Sequence, residues 1–87
     1  MITVKEAVMA ALEFVDDIFA DEKLLDPRLE EVELSEDEEF WYVTLSFVRQ
    51  PTKLVEALKG SHSREYKILT VRSETGMVQS MKIRQPI

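Results

Sequence analysis

The chain has no cysteine, a single histidine and only two glycines in 87 residues. Without cysteine there is neither a disulfide framework nor a Cys-based zinc site. His62 alone cannot build a His-rich metal centre or a histidine relay, and Ser61 and Ser63 beside it do not make a triad. Gly60 and Gly76 stand too far apart for a phosphate-cradling loop. Carboxylates crowd between Glu30 and Glu39, yet exposed carboxylates are poor general acids unless burial shifts them. Glu36-Asp37-Glu38-Glu39 lacks the alternating ligands and the glycine of an EF-hand loop, and reads as a solvated turn. The expectation is therefore a non-enzymatic chain without a metal or cofactor.

The start, Met1-Ile2-Thr3-Val4-Lys5-Glu6, has neither a basic n-region nor a continuous apolar run, and no stretch approaches membrane-spanning length. A cytoplasmic chain without a membrane contact is expected. A length of 87 residues, 45% hydrophobic and 32% charged, fits one small domain with a single core. The net charge of −6 is strongly polarised. Residues 1–40 carry 14 acidic and 3 basic side chains, whereas residues 41–87 carry 3 acidic and 8 basic. Such a chain can satisfy its charges internally, pair with a second copy or hold a charged partner.

Thr3 followed by Glu6 makes a capping box. Behind it Val4, Ala7, Val8, Ala11, Leu12, Val15, Ile18 and Phe19 recur at helical spacing, predicting a helix of about four turns that ends near Ala20. Asp26-Pro27 marks a break. Leu29 to Leu34 reads as a first strand with Val32 and Leu34 on one face. Phe40 to Arg49 is the strongest strand: Trp41, Val43, Leu45 and Phe47 share one face, and Phe40, Tyr42, Thr44 and Val48 the other. Apolar residues on both sides suit a central position. In residues 50–63, Leu54, Val55 and Leu58 lie between Thr52 as a cap and Gly60 as a stop, which predicts a short helical insertion.

Glu65 to Arg84 is a hairpin around Ser73-Glu74-Thr75-Gly76, and Pro86 ends its last strand. Pairing Ser73 with Met77 sets Val71 against Gln79, Leu69 against Met81 and Lys67 against Ile83 on the helix side. The reverse side then carries Arg72 with Val78, Thr70 with Ser80, Ile68 with Lys82 and Tyr66 with Arg84. The expected fold is α+β: one N-terminal helix packed on a four-stranded antiparallel sheet, with the helical insertion between strands 2 and 3.

A lone helix covers one side of a sheet. The other side is expected to carry Phe40, Tyr42, Val48, Tyr66, Ile68, Arg72, Lys82 and Arg84, a mixture of aromatic, aliphatic and basic groups suited to recognition. Leu54, Val55 and Leu58 form a second candidate contact, a flap over the core edge being the other reading of that segment. A homodimer through the free face is the favoured reading. A small acidic immunity- or antitoxin-like inhibitor of a protein partner is one alternative. Weak binding of single-stranded nucleic acid is another, against which the overall acidity and the missing Lys/Arg stripe both count.

Several motifs together resemble the PepSY-like domains, which are related to the cystatins. They are Ile2-Thr3-Val4-Lys5-Glu6-Ala7-Val8 with Ala10, Glu31-Val32-Glu33-Leu34, Trp41-Tyr42-Val43-Thr44-Leu45, and Tyr66-Lys67-Ile68 through Glu74-Thr75-Gly76-Met77-Val78. The resemblance implies a helix-plus-antiparallel-sheet module that is non-catalytic and inhibitory or regulatory. This chain departs from the pattern in its start, in the insertion at 50–63, and in Arg72-Ser73 where an aspartate commonly precedes the turn. Nor does Gln50-Pro-Thr-Lys-Leu match the Gln-x-Val-x-Gly loop of cystatin inhibitors, so an extracytoplasmic protease-inhibitor role is not expected.

Overall fold

The computed structural model describes residues 1–49 and 64–84. Helix α1 (Val4–Ile18) precedes strands β1 (Leu24–Leu34), β2 (Phe40–Arg49), β3 (Arg64–Arg72) and β4 (Val78–Ile83). The strands make one antiparallel sheet in the order β1-β2-β3-β4. This is the expected α+β arrangement. The helical insertion expected between β2 and β3, with Thr52, Leu54, Val55, Leu58 and Gly60, lies outside the described residues, as do His62 and Pro86.

The capping box forms as the sequence predicts. The Glu6 amide donates to Thr3 Oγ1 at 3.1 Å and the Thr3 amide donates to Glu6 Oε1 at 2.9 Å. The Thr3 backbone amide, and then the Thr3 side chain, hold the Glu6 carboxyl below its usual pKa. Ala7, Ala11 and Val15, four residues apart along one stripe, are buried against the sheet. Their small side chains let the helix backbone approach the β2 and β3 residues Val43, Leu45, Phe47, Leu69 and Val71, which complete the core.

The helix crosses the sheet obliquely. Its start is tied to the β3–β4 turn, where the Ile2 amide donates to the Ser73 carbonyl at 2.7 Å. At its far end, Phe19 meets Phe47 with ring centroids 5.6 Å apart. That path leaves the end of β4 uncovered. Ile83 shares the inner face with Leu69 and Met81, as the pairing of Lys67 with Ile83 requires, yet it is 72% exposed.

Two stretches differ from the reading of the sequence. Strand β1 begins at Leu24, not Leu29, and runs straight through Asp26-Pro27. A shifted register between Leu25 and Arg28, with Asp26 at φ +49°, absorbs the proline. Proline is tolerated there because β1 is an edge strand and a bulge needs no ladder donor.

In the terminal hairpin, the Arg72 amide donates to the Met77 carbonyl at 2.9 Å, so the turn holds one residue more than expected. A second shift between Thr70 and Val71 restores the register, and Leu69–Met81, Ile68–Lys82 and Lys67–Ile83 pair as predicted. Between the two irregularities Val71 faces Val78 rather than Gln79. Val78 packs on the core and Gln79 is exposed, the exchange that burial favours.

Ser73, in the turn itself, is buried. Its amide donates to the Glu39 carbonyl at 2.9 Å and its hydroxyl to the Glu38 carbonyl at 2.6 Å, joining the two hairpin ends to the helix start. Gly76 has φ +77°. An added Cβ would find room, since its nearest neighbour is Ile2 Cδ1 at 3.7 Å. Gly76→Ala is therefore expected to lower stability by about 1–2 kcal/mol through the left-handed backbone alone, read as a lower urea midpoint with an unchanged slope.

Candidate functional site

Residues paired across an antiparallel ladder point to the same side. Tyr42 pairs with Glu33 and Thr70, Thr44 with Glu31 and Ile68, and Ser46 with Arg28 and Tyr66. Phe40 pairs with Arg72 and Val48 with Arg64, while Ile68 continues to Lys82. The Arg84 amide donates to the Tyr66 carbonyl at 2.9 Å, extending the same ladder. Phe40, Tyr42, Val48, Tyr66, Ile68, Arg72, Lys82 and Arg84 thus lie together on the sheet face opposite α1.

This outer face is not bare. Thr44 is 2% exposed and Ser46 0%, although α1 lies on the other side. Two arginines roof them. Arg64 Nη1 donates to Ser46 Oγ and to the Asp26 carbonyl, each at 2.9 Å, and its Nη2 reaches Asp26 Oδ2 at 2.5 Å. The Ser46 hydroxyl passes the chain on by donating to Glu30 Oε2 at 2.5 Å. Arg84 reaches over β3 to Thr44 Oγ1 at 2.9 Å and to the Glu31 carboxylate. Arg28, 2.7 Å from Asp26 Oδ2, and then Arg64 hold the Asp26 carboxyl below its usual pKa.

Arg64, Thr44 and Ser46 are the structural residues of this face that its apolar and basic members do not predict. The available signal is a pair of small polar residues, Thr44 and Ser46, at successive outward positions of the otherwise apolar strand Phe40–Arg49. Around this polar centre lie half-buried Phe40, Tyr42, Val48, Tyr66 and Ile68. Arg72 stacks over the Phe40 ring at 5.5 Å and donates to Gln79 Oε1 at 3.0 Å. Lys82 and Glu33 are exposed, and among the described residues neither is in an ion pair.

The inner face closes differently at its open end. Arg49 lies 5.1 Å from the centre of the Phe19 ring, pairs with Glu65 through two donors and reaches Glu22 at 3.3 Å. Nearby, an apolar groove of about 330 Å³ runs between α1 and β1, lined by Met9, Leu12, Leu24, Pro27 and Phe47, with Glu13 and Asp16 at its margin. Among the described residues no cluster of three or more His, Cys, Asp or Glu side chains could hold a metal ion. Among the described residues no helix is long and apolar enough to cross a membrane.

The Arg49 hydrogen bond, followed by its charge, keeps the Glu65 carboxyl below its usual pKa. A carboxyl depressed on folding contributes stability that is complete above the unfolded glutamate value of about 4.3 and fades as pH falls through the folded one. Arg49→Met is accordingly expected to lower stability at pH 7 and to cost progressively less below about pH 4. Urea titrations at pH 7 and pH 3 check this; an equal loss at both would show that the pair is not responsible.

Comparison with protein-family models, with curated proteins and with solved structures yields no match, and the geometry of the chain itself carries the functional reading.

Proposed function

We propose that this chain is a non-catalytic interaction module that associates with a second copy of itself through the outer face of its sheet. The observation that carries the reading is the ring of half-buried Phe40, Tyr42, Val48, Tyr66 and Ile68 around polar groups already satisfied within the chain. A partner surface can bury those rings without stranding Thr44 or Ser46, because Arg84 and Arg64 already supply their hydrogen bonds. Aromatic and arginine side chains at the centre of a patch, with free charges at its margin, match the anatomy of protein interfaces. A regulatory role of the PepSY-like kind and a cytoplasmic location belong to the same proposal, the second being compatible with a chain that lacks cysteine.

A second reading follows from the other side of the molecule. Glu13, Asp16 and Asp17 on α1 and Glu36 to Glu39 in the β1–β2 turn are exposed, and they would suit an immunity- or antitoxin-like inhibitor of a basic protein. Single-stranded nucleic acid is the weaker reading, because Arg28, Arg64 and Arg84 are occupied by carboxylates. An unshifted oligonucleotide at low salt would remove it.

Light scattering at tens of micromolar is expected to give twice the 10.1 kDa chain mass. Tyr42→Lys places a cation opposite Glu33, where the fold can pair it, but buries a charge between copies. It should weaken association by about tenfold or more with little loss of helix signal. A wild-type monomer at that concentration would sink self-association and leave the acidic side as the surface to test.

A further inference from the structure

We infer that the second copy docks about a two-fold axis running parallel to the strands, so that the β1 carboxylates of one copy lie over the β4 cations of the other. This deepens the self-association proposed above and rests on it. Among the described residues, the exposed charges of this face that are in no ion pair or side-chain hydrogen bond are sorted by strand, Glu33 on β1 and Lys82 on β4, whereas Arg28 on β1 is held by Asp26 and Arg84 reaches back to Glu31. The register makes Glu31, Thr44, Ile68 and Lys82 one row straight across the sheet. The row and its column order decide between the two ways that aligned sheets can face each other.

Two sheets packed face to face with aligned strands admit an in-plane two-fold axis either across the strands or along them. An axis across the strands lays β1 on β1 and β4 on β4. The unpaired Glu33 then stays over the partner's β1 and the unpaired Lys82 over its β4, and neither meets its opposite. An axis along the strands keeps each row in place and reverses the strand order. Glu31 of one copy then lines up with the partner's Lys82, and the symmetry repeats the pair. Glu33, one outward-facing position along β1, comes within reach of the same lysine. In the middle β2 lies over β3, so Tyr42 meets the partner's Thr70.

Edge strand β1 gives this face no rival of equal quality for self-association. That strand carries two shifted registers, Pro27 and a run of carboxylates, all of which oppose edge-to-edge pairing. The two-fold arrangement closes on itself at two copies and does not propagate into a filament.

The absence of cysteine makes a direct test possible. Glu33→Cys and Lys82→Cys are each exposed single changes, to be treated with a short bifunctional thiol reagent at tens of micromolar. Cross-linked dimer is expected when the two variants are mixed, and little when either is treated alone. Cross-linked dimer of each variant when it is treated alone, as abundant as in the mixture, would overturn the proposed axis in favour of the other. Charge reversal supplies a second measurement. Lys82→Glu and Glu33→Lys should each raise the dissociation constant about tenfold, and their combination should return it to within about threefold of the original.

A dimer by light scattering that shows neither mixed cross-links nor rescue defeats the axis alone. A monomer, or a different protein occupying the face in the purified sample, defeats self-association and the axis together.

Discussion

Among the described residues, one helix set against four strands leaves half of the sheet without an apolar cover, and the rest of the structure answers to that shortage. The inner face is closed by Ala7, Ala11 and Val15 against β2 and β3. The outer face has no such element among the described residues, and β2, in the middle, still carries backbone that must be shielded from competing water. The solution is a trough of small polar residues, Thr44 and Ser46, filled by the long stems of Arg64 and Arg84. The aliphatic part of an arginine covers area while its head remains hydrogen-bonded near solvent.

That solution explains why so polarised a charge distribution is compatible with a small stable domain. The acidic half of the chain supplies Asp26, Glu30 and Glu31 on β1, and the basic half supplies Arg64 and Arg84 on and beyond β3. Chain order separates these groups widely, yet they meet across the sheet through long side chains. Exposed ion pairs of this kind add little individually. Their value here is collective: they satisfy two buried hydroxyl groups and sit on the face that carries the aromatic rings.

Much of this was readable in advance. The capping box, the helical stripe, the central strand and the far part of the terminal hairpin follow from local spacing, and so does the alternation within each strand, whereas the ladder decides which residues of the central strand and the hairpin share a face. Parity along each strand is a property of neighbours, and the ladder joins β2 to β3 without needing residues 50–63. What local spacing could not supply were the register shifts. Pro27 reads as a break, but it falls on an edge, where a bulge accommodates it. Gln79 reads as an inward residue, but one added turn position and one bulge send it out and bring Val78 in. Ser73 looks like any turn serine, and its burial depends on Glu38, Glu39 and Ile2 arriving from elsewhere in the chain.

The sequence by itself determined the element types, the helix cap, the alternation of sides within each strand away from the bulges, and the polarity of charge between the two halves. These rest on periods of about 3.6 and 2 residues and on backbone preferences, which act over a few positions. Tertiary structure decided where the helix lies on the sheet, and hence why Ile83 stays exposed while Val78 is partly buried against the core. It also decided that the outer face is roofed in its centre by Arg64 and Arg84 rather than left open. Those outcomes depend on the reach of long side chains across strands and on compensating shifts in a ladder, and neither quantity is carried by any single segment.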